Sequence, residues 1–153
     1  MRRFEKISFE QFSKDVCDDR NLYNEYKLPK RETKYAAGYD FYALFDFVLK
    51  PGEIKKIPTG IKVDMMDDDC LLLLDRSSMG FKYNVRMCNQ VGVIDKDYYN
   101  NKDNEGHMWF RLQNEGDKDW IVKKGEGFGQ GLFIKYLVVD DEETDFKQRN
   151  SDY

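Results

Sequence analysis

Two short polar clusters, each closing an apolar run, hold the groups in this sequence best suited to chemistry. The first is Asp75-Arg76-Ser77-Ser78, directly after the run CLLLL that begins at Cys70. Arg76 offers a planar guanidinium that suits phosphate oxygens, Ser77 and Ser78 add hydroxyls, and backbone N–H groups in such a turn can form an anion nest. The second is NQVGVIDKDY, from Asn89 to Tyr98. The Asn89 amide carries both a donor and an acceptor, which suits a pyrimidine edge. Gly92 lets a backbone approach a planar ring closely. Asp95 ends its apolar run and could accept a proton from water. Tyr98 could lie against a sugar face. Each cluster also has a plainer reading. The first could be a strand end with a capping serine and a surface arginine; the second could be a strand leading into an Asp-rich turn.

Two further stretches could support them. In AAGYDFYA, Ala36 to Ala43, Asp40 sits among aromatics, as a half-buried carboxylate with partners would. In KKGEGFGQG, Lys123 to Gly131, the glycines invite a phosphate-loop reading, but the required Gly-Lys-Ser/Thr ending is missing. A hairpin turn is the simpler account, with Gln130 able to orient toward phosphate.

The elements that position these residues are mostly strands. Ser8 and Gln11 fit a capping box, and Phe9, Phe12 and Val16 follow at helical spacing, so a short helix is expected from Phe9 to Cys17. The stretch from Asp18 to Thr33 reads as loop. From Tyr35 onward, short runs rich in β-branched, aromatic and leucine residues alternate with turns: YDFYALFDFVL, KKIPTGIKVDM, CLLLLD, NQVGVID, MWFRLQN, DWIVKK and GLFIKYLVV. This pattern predicts an all-β sandwich or jelly-roll barrel. One domain is expected over 1–153, with a helix and loop over 1–34 and a flexible acidic tail over 140–153.

Composition narrows the function. A hydrophobic content of 41% fits a packed globule rather than a disordered chain. No apolar run is long enough to span a membrane, and MRRFEKISFEQF lacks a signal-peptide core, so a cytoplasmic protein is expected. The net charge of −4 argues against a general nucleic-acid binder, yet leaves room for one nucleotide held by local donors. Cys17, Cys70, Cys88 and His107 have no zinc-ligand spacing and read as reduced thiols and a lone histidine.

Taken in order and register, the four stretches resemble the trimeric dUTPase (dUTP diphosphatase) family. Ala37, Gly38, Asp40 and Phe41 match its first motif, and Arg76-Ser77-Ser78 its second. Gly92-Val93-Ile94-Asp95-Lys96-Asp97-Tyr98 matches the third without a break, and Gly125-Glu126-Gly127-Phe128-Gly129-Gln130 the fourth. Several positions depart from the pattern. Asp75 replaces a proline, Gly127 replaces an arginine, and Tyr99–Glu105 form an insertion before Gly106. A glycine-rich fifth motif does not follow Arg149 in this sequence.

The resemblance implies a dUTPase-like β fold and hydrolysis of dUTP to dUMP and pyrophosphate. It implies Asp95 as the base and Arg76, Ser77, Ser78 and Gln130 at the phosphates. Asn89 and Gly92 would read uracil, Val93 and Ile94 would line the deoxyribose, and Tyr98 would pack on the sugar and exclude a 2′-hydroxyl. Trp109 would give a backbone contact to the base, and Asp40 would play a supporting part. Mg²⁺ would be held mainly by the substrate phosphates, with no protein ligand to the metal, and the assembly would be a homotrimer. Two alternatives stay open on the same fold: a dUTP-binding regulatory protein with a protein partner, and a dCTP deaminase.

Overall fold

The computed structural model describes residues 1–151. Eleven strands and three short helices occupy these residues. The strand-rich pattern expected from Tyr35 onward is present, the described strands pairing into four sheets. The central sheet has the order β2 (Tyr39–Tyr42), β11 (Gly127–Lys135), β6 (Asp69–Leu74) and β8 (Gly92–Asp95), all antiparallel. A second sheet joins β4 (Ile54–Pro58), β9 (Trp109–Asn114) and β7 (Val85–Met87). Two pairs complete the fold: β1 (Arg3–Lys6) with β5 (Ile61–Asp64), and β3 (Phe47–Leu49) with β10 (Trp120–Val122).

Period-two alternation builds the core. On β6, Leu71 and Leu73 are fully buried while Leu72 and Leu74 are partly exposed. Phe41, Phe110 and Phe128 meet edge to face beneath β11. That packing needs small residues above it. A Cβ added at Gly129 would lie 2.6 Å from the Phe110 ring.

The N-terminal region holds more structure than its sequence suggested. Helix α1 spans Phe9–Asp15, slightly shorter than expected, with Ser8 accepting the Gln11 N–H at 3.1 Å. The stretch read as loop contains a second helix, α2 (Arg20–Glu25). Its N-cap is Asp19, which accepts the Leu22 N–H, and its driving force is aromatic packing: Tyr23 and Tyr26 close on Phe9 and Phe12. Helix α3 (Ser77–Tyr83) follows the first polar cluster directly. Strand β11 stops at Lys135 instead of continuing to Val139, leaving Leu137 almost fully exposed. No described helix is long and apolar enough to cross a membrane.

Candidate active site

The first polar cluster lies at the C-terminal end of β6; the second runs antiparallel alongside that strand, from Gly92 level with Leu73 to Asp95 level with Cys70. The phosphate-type cluster forms where three strands bring their side chains into one row. Gln130 on β11 stands opposite Asp40 on one side and Leu74 on the other. Its amide donates to the Asp75 carbonyl at 2.8 Å. Arg76 leaves the end of β6 and turns back over the sheet. Its Nε lies 3.4 Å from Asp40 Oδ1, and its Nη1 donates to the Gly127 carbonyl at 3.0 Å. Burial pushes the Asp40 carboxyl up in pKa, and the Arg76 charge opposes that shift. Ser77 and Ser78 start α3 and are exposed. Together with Asp75, Gly80 and Phe81, Arg76 and Ser77 line a shallow hollow.

Two glycines of the motifs have steric reasons here. A Cβ at Gly38 would sit 2.1 Å from Gln130 Oε1, so any side chain there displaces the glutamine. A Cβ at Gly127 would sit 2.8 Å from Arg76 Nη1. The position where the family pattern has an arginine is therefore covered by the guanidinium of Arg76.

The second cluster runs along β8, an edge strand, and past its end. Its register pairs Gly92 with Leu73 and Asp95 with Cys70. Gly92 is buried, and a Cβ there would meet Leu73 Cβ at 3.1 Å, so close strand packing accounts for this glycine. Val93 points outward at 54% exposure, whereas Ile94 points into the core at 4%. Of the two residues expected to line a sugar, only Val93 presents its side chain; alternation along the strand turns Ile94 away. Asn89 is exposed in the turn between β7 and β8, and its carbonyl accepts the Val91 N–H at 2.7 Å.

Asp95 keeps about half of its side chain exposed and pairs with Arg149 Nη1 at 3.0 Å. A short 3₁₀ turn, Lys96–Tyr98, follows it. Tyr98 is almost fully buried. Its hydroxyl donates to the His107 carbonyl at 3.0 Å, and the Arg149 guanidinium stands 5.8 Å from its ring centre. Trp109 begins β9 next to His107, with ring centres 4.8 Å apart, beneath the Lys56 ammonium.

Arg149 and the loop residues Asn101, Asn104 and His107 join this cluster without having been expected there. The tail was read as mobile and His107 as a lone histidine. The available signal was the run Asn100-Asn101-Lys102-Asp103-Asn104, whose side chains readily bond nearby backbone, placed directly after Tyr98.

Within one chain Asp95 stays apart from Arg76. Asp95 is level with Cys70, and Arg76 is six residues further along, about 20 Å at the rise of an extended strand. No hydrogen bond or ion pair joins Asp95 to Arg76. Among the described residues, no group of three or more His, Cys, Asp or Glu side chains is placed to hold a metal ion.

With this geometry in view, the comparisons with known proteins agree. The family model for dUTPase matches residues 24–152. The deoxyuridine 5'-triphosphate nucleotidohydrolase of Lactococcus lactis is 46% identical over 124 residues, covering 81% of this chain and 83% of the relative. That of Tolumonas auensis is 34% identical over 134 residues, covering 82% and 85%. A crystal structure of dUTPase from Streptococcus mutans superposes with a TM-score of 0.72 at 40% identity, covering 91% of this chain and 99% of that one. The β-strand fold and its motif-bearing site define a dUTPase-like nucleotide hydrolase. The chain belongs to the dUTPase family.

Proposed function

We propose that the protein hydrolyses dUTP to dUMP and pyrophosphate, with its substrate the Mg²⁺ chelate of the triphosphate, at sites shared between copies of the chain. Family membership carries the reaction. The carrying observation for shared sites is the separation of Asp95 from Arg76. An attacking water and the phosphorus it attacks must be in contact, and the groups that hold the phosphates must lie within the reach of one triphosphate tail. A distance of about 20 Å along β6 exceeds that reach. One copy then supplies the nucleoside end, and a neighbouring copy supplies the phosphate end. A closed ring of three is the assembly we propose, since head-to-tail contacts close into rings.

In this reading, Asn89 and the backbone at Gly92 meet the uracil, Val93 meets the deoxyribose, and the Tyr98 ring, buried with Arg149 beside it, comes to face the sugar as Arg149 gives way. Ile94 contributes through its backbone and through the packing that holds the strand. Trp109 contributes backbone at the base. Asp95 takes the proton from the attacking water. Arg76, Ser77 and Ser78, joined by Gln130, face the phosphate oxygens, and Asp40 orients Arg76 through the contact at 3.4 Å. Mg²⁺ arrives with the triphosphate and offsets charge on its oxygens, in keeping with its preference for phosphate ligands. Arg149 shares Asp95 with the water or gives way to it when substrate binds. The cytoplasm, where a nucleotide pool is at hand, is the proposed setting.

The test is pyrophosphate release measured across dUTP, dTTP, dCTP and UTP, with ammonia release followed in parallel. Pyrophosphate from dUTP above the other three supports the proposal. Ammonia without pyrophosphate would point to deamination instead, and no turnover of dUTP would remove the enzymatic reading.

A further inference from the structure

The insertion Tyr99–Glu105 has no part in the reaction as described so far, yet its side chains are tied to one another and to the fold around them. Asn101 is buried and organises it. Its Oδ1 accepts the N–H groups of Asp103 and Asn104 at 2.9 and 3.1 Å. Its Nδ2 donates to the Tyr98 carbonyl at 2.8 Å and to Asn104 Oδ1 at 2.9 Å. Asn104 then reaches the other end of the same tyrosine. Its Nδ2 donates to the Tyr98 hydroxyl at 2.7 Å, while its Oδ1 also accepts the Gly106 N–H at 3.1 Å. The loop thus grips Tyr98 by both its carbonyl and its hydroxyl.

The grip is anchored to the rest of the fold. The Glu105 carboxylate accepts the Ser8 N–H and hydroxyl, each at 2.6 Å, and pairs with Lys62 at 3.0 Å. Burial would raise the Glu105 pKa, yet the hydrogen bonds from Ser8 and Lys62 outweigh it and leave it lowered. His107, whose carbonyl accepts the hydrogen bond of the Tyr98 hydroxyl, is itself fixed on both ring nitrogens. Its Nδ1 lies 2.7 Å from Asp15 Oδ2, and its Nε2 accepts the Gly60 N–H at 2.9 Å. That bond from Gly60 requires a neutral ring with the proton on Nδ1. The Tyr98 hydroxyl is therefore held between the Asn104 amide and the His107 carbonyl, each immobilised from behind, with Ser151 Oγ a further 3.4 Å contact. A phenol held by both of its hydrogen-bonding functions loses its freedom to tilt or swing.

We propose that Asn104 is a positioning residue for sugar specificity: by tethering the Tyr98 hydroxyl it fixes the plane of the ring that leaves no room for a 2′-hydroxyl. The proposal rests on the dUTPase reading above. It makes the insertion part of the nucleoside end. Discrimination by steric exclusion of one oxygen depends on placement to a fraction of an ångström, whereas a deoxyribose tolerates a looser ring.

The experiment compares kcat and KM for dUTP and UTP in the parent, Asn104→Ala, Tyr98→Phe and the double variant, with thermal unfolding of each. Asn104→Ala should keep kcat for dUTP within about threefold while the ratio of kcat/KM for dUTP to that for UTP falls about tenfold, through a gain on UTP. Tyr98→Phe, which keeps the ring and removes the tethered oxygen, should lower the ratio similarly. In the double variant the two effects should not add, because Asn104 acts through that hydroxyl. Should Asn104→Ala fail to fold, Tyr98→Phe alone carries the same expectation. An unchanged ratio with dUTP turnover retained overturns the proposal, as does full additivity in the double variant. A parent chain that releases no pyrophosphate from dUTP is a separate outcome, and overturns the dUTPase reading beneath it.

Discussion

The two ends of β6 are assembled by different means. At the phosphate end, strand register does the placing. Asp40, Gln130 and the Leu74–Asp75 turn stand in one row across β2, β11 and β6, and Arg76 folds back over that row. At the nucleoside end, Asp95 projects from an edge strand, and the next residues are held by side chains of an irregular loop. The first end is rigid because a sheet is rigid; the second is rigid because nearly every polar group in the loop has found a partner. A sheet can offer a row of donors to phosphates, which are recognised by charge and fork geometry. It cannot wrap a sugar ring, and that contour is left to the loop.

Asp95→Asn is the sharpest way to break the nucleoside end, and the largest effect is expected there. The amide keeps the shape and cannot take a proton, so kcat for dUTP should fall about 10²–10⁴-fold. The change also removes the charged partner of Arg149. Nucleotide affinity must therefore be measured apart from turnover, by titration with a non-hydrolysable dUTP analogue. Retained binding with lost turnover fits a base; near-parent turnover would return Asp95 to a structural role.

Mixing the two ends tests whether they belong to one chain or two. Arg76→Ala and Asp95→Asn should each be inactive or nearly so alone. Coexpressed in equal amounts, with each site drawing its ends from different copies, the mixed rings should recover about a third of the parent activity, because one of the three junctions in each mixed ring unites two intact ends. Sites confined to single chains would recover nothing. The readout is pyrophosphate release from assemblies carrying both chains, isolated through two different affinity tags.

The sequence revealed the phosphate end better than the nucleoside end, for a physical reason. Motif residues on strands keep their neighbours at fixed register, so Asp40, Arg76 and Gln130 could be grouped from linear order and found together. The Phe9 helix was equally legible from its Ser8 cap and apolar spacing. A family position says nothing of which face a side chain takes; the period of two, applied from buried Leu71 and Leu73 across the pairing, turns the Ile94 side chain inward. Helix α2 was missed because its six residues owe their form to tertiary contact between Tyr23, Tyr26 and the Phe9 helix, which local propensity does not express. The grip of Asn101 and Asn104 on Tyr98 depends on the path of an irregular loop, where sequence order fixes no register.

The smallest effect separates the ends by charge instead of position. Asp75 stands where the family pattern has a proline, and it places a carboxylate beside the phosphate arginine. Burial raises its pKa to about 6, against the opposing pull of the Met87 N–H and the Arg86 charge. One of its oxygens, Oδ1, is buried without a hydrogen-bond partner. A carboxyl whose folded pKa lies above its unfolded value, about 3.9, binds more protons folded than unfolded between those values. Its stabilising contribution is present below about pH 4 and is lost as pH rises through about 6. At pH 8 the charged, partly buried carboxylate is therefore a net cost, about 1 kcal/mol once solvent screening is allowed for. Asp75→Asn removes the charge and keeps an oxygen for the Met87 N–H. It should melt about 2–4 °C above the parent at pH 8. That gap should narrow through pH 6 and close or reverse by about pH 4, where the parent carboxyl is protonated in the folded state. Thermal unfolding at fixed protein concentration across that range measures it. A gap that stays constant with pH would show that the Asp75 charge contributes nothing and that the substitution acts through packing. A gap that follows the titration would show that this end of the sheet tolerates a destabilising carboxylate next to Arg76, whereas at the other end the Glu105 carboxylate is held by Ser8 and Lys62.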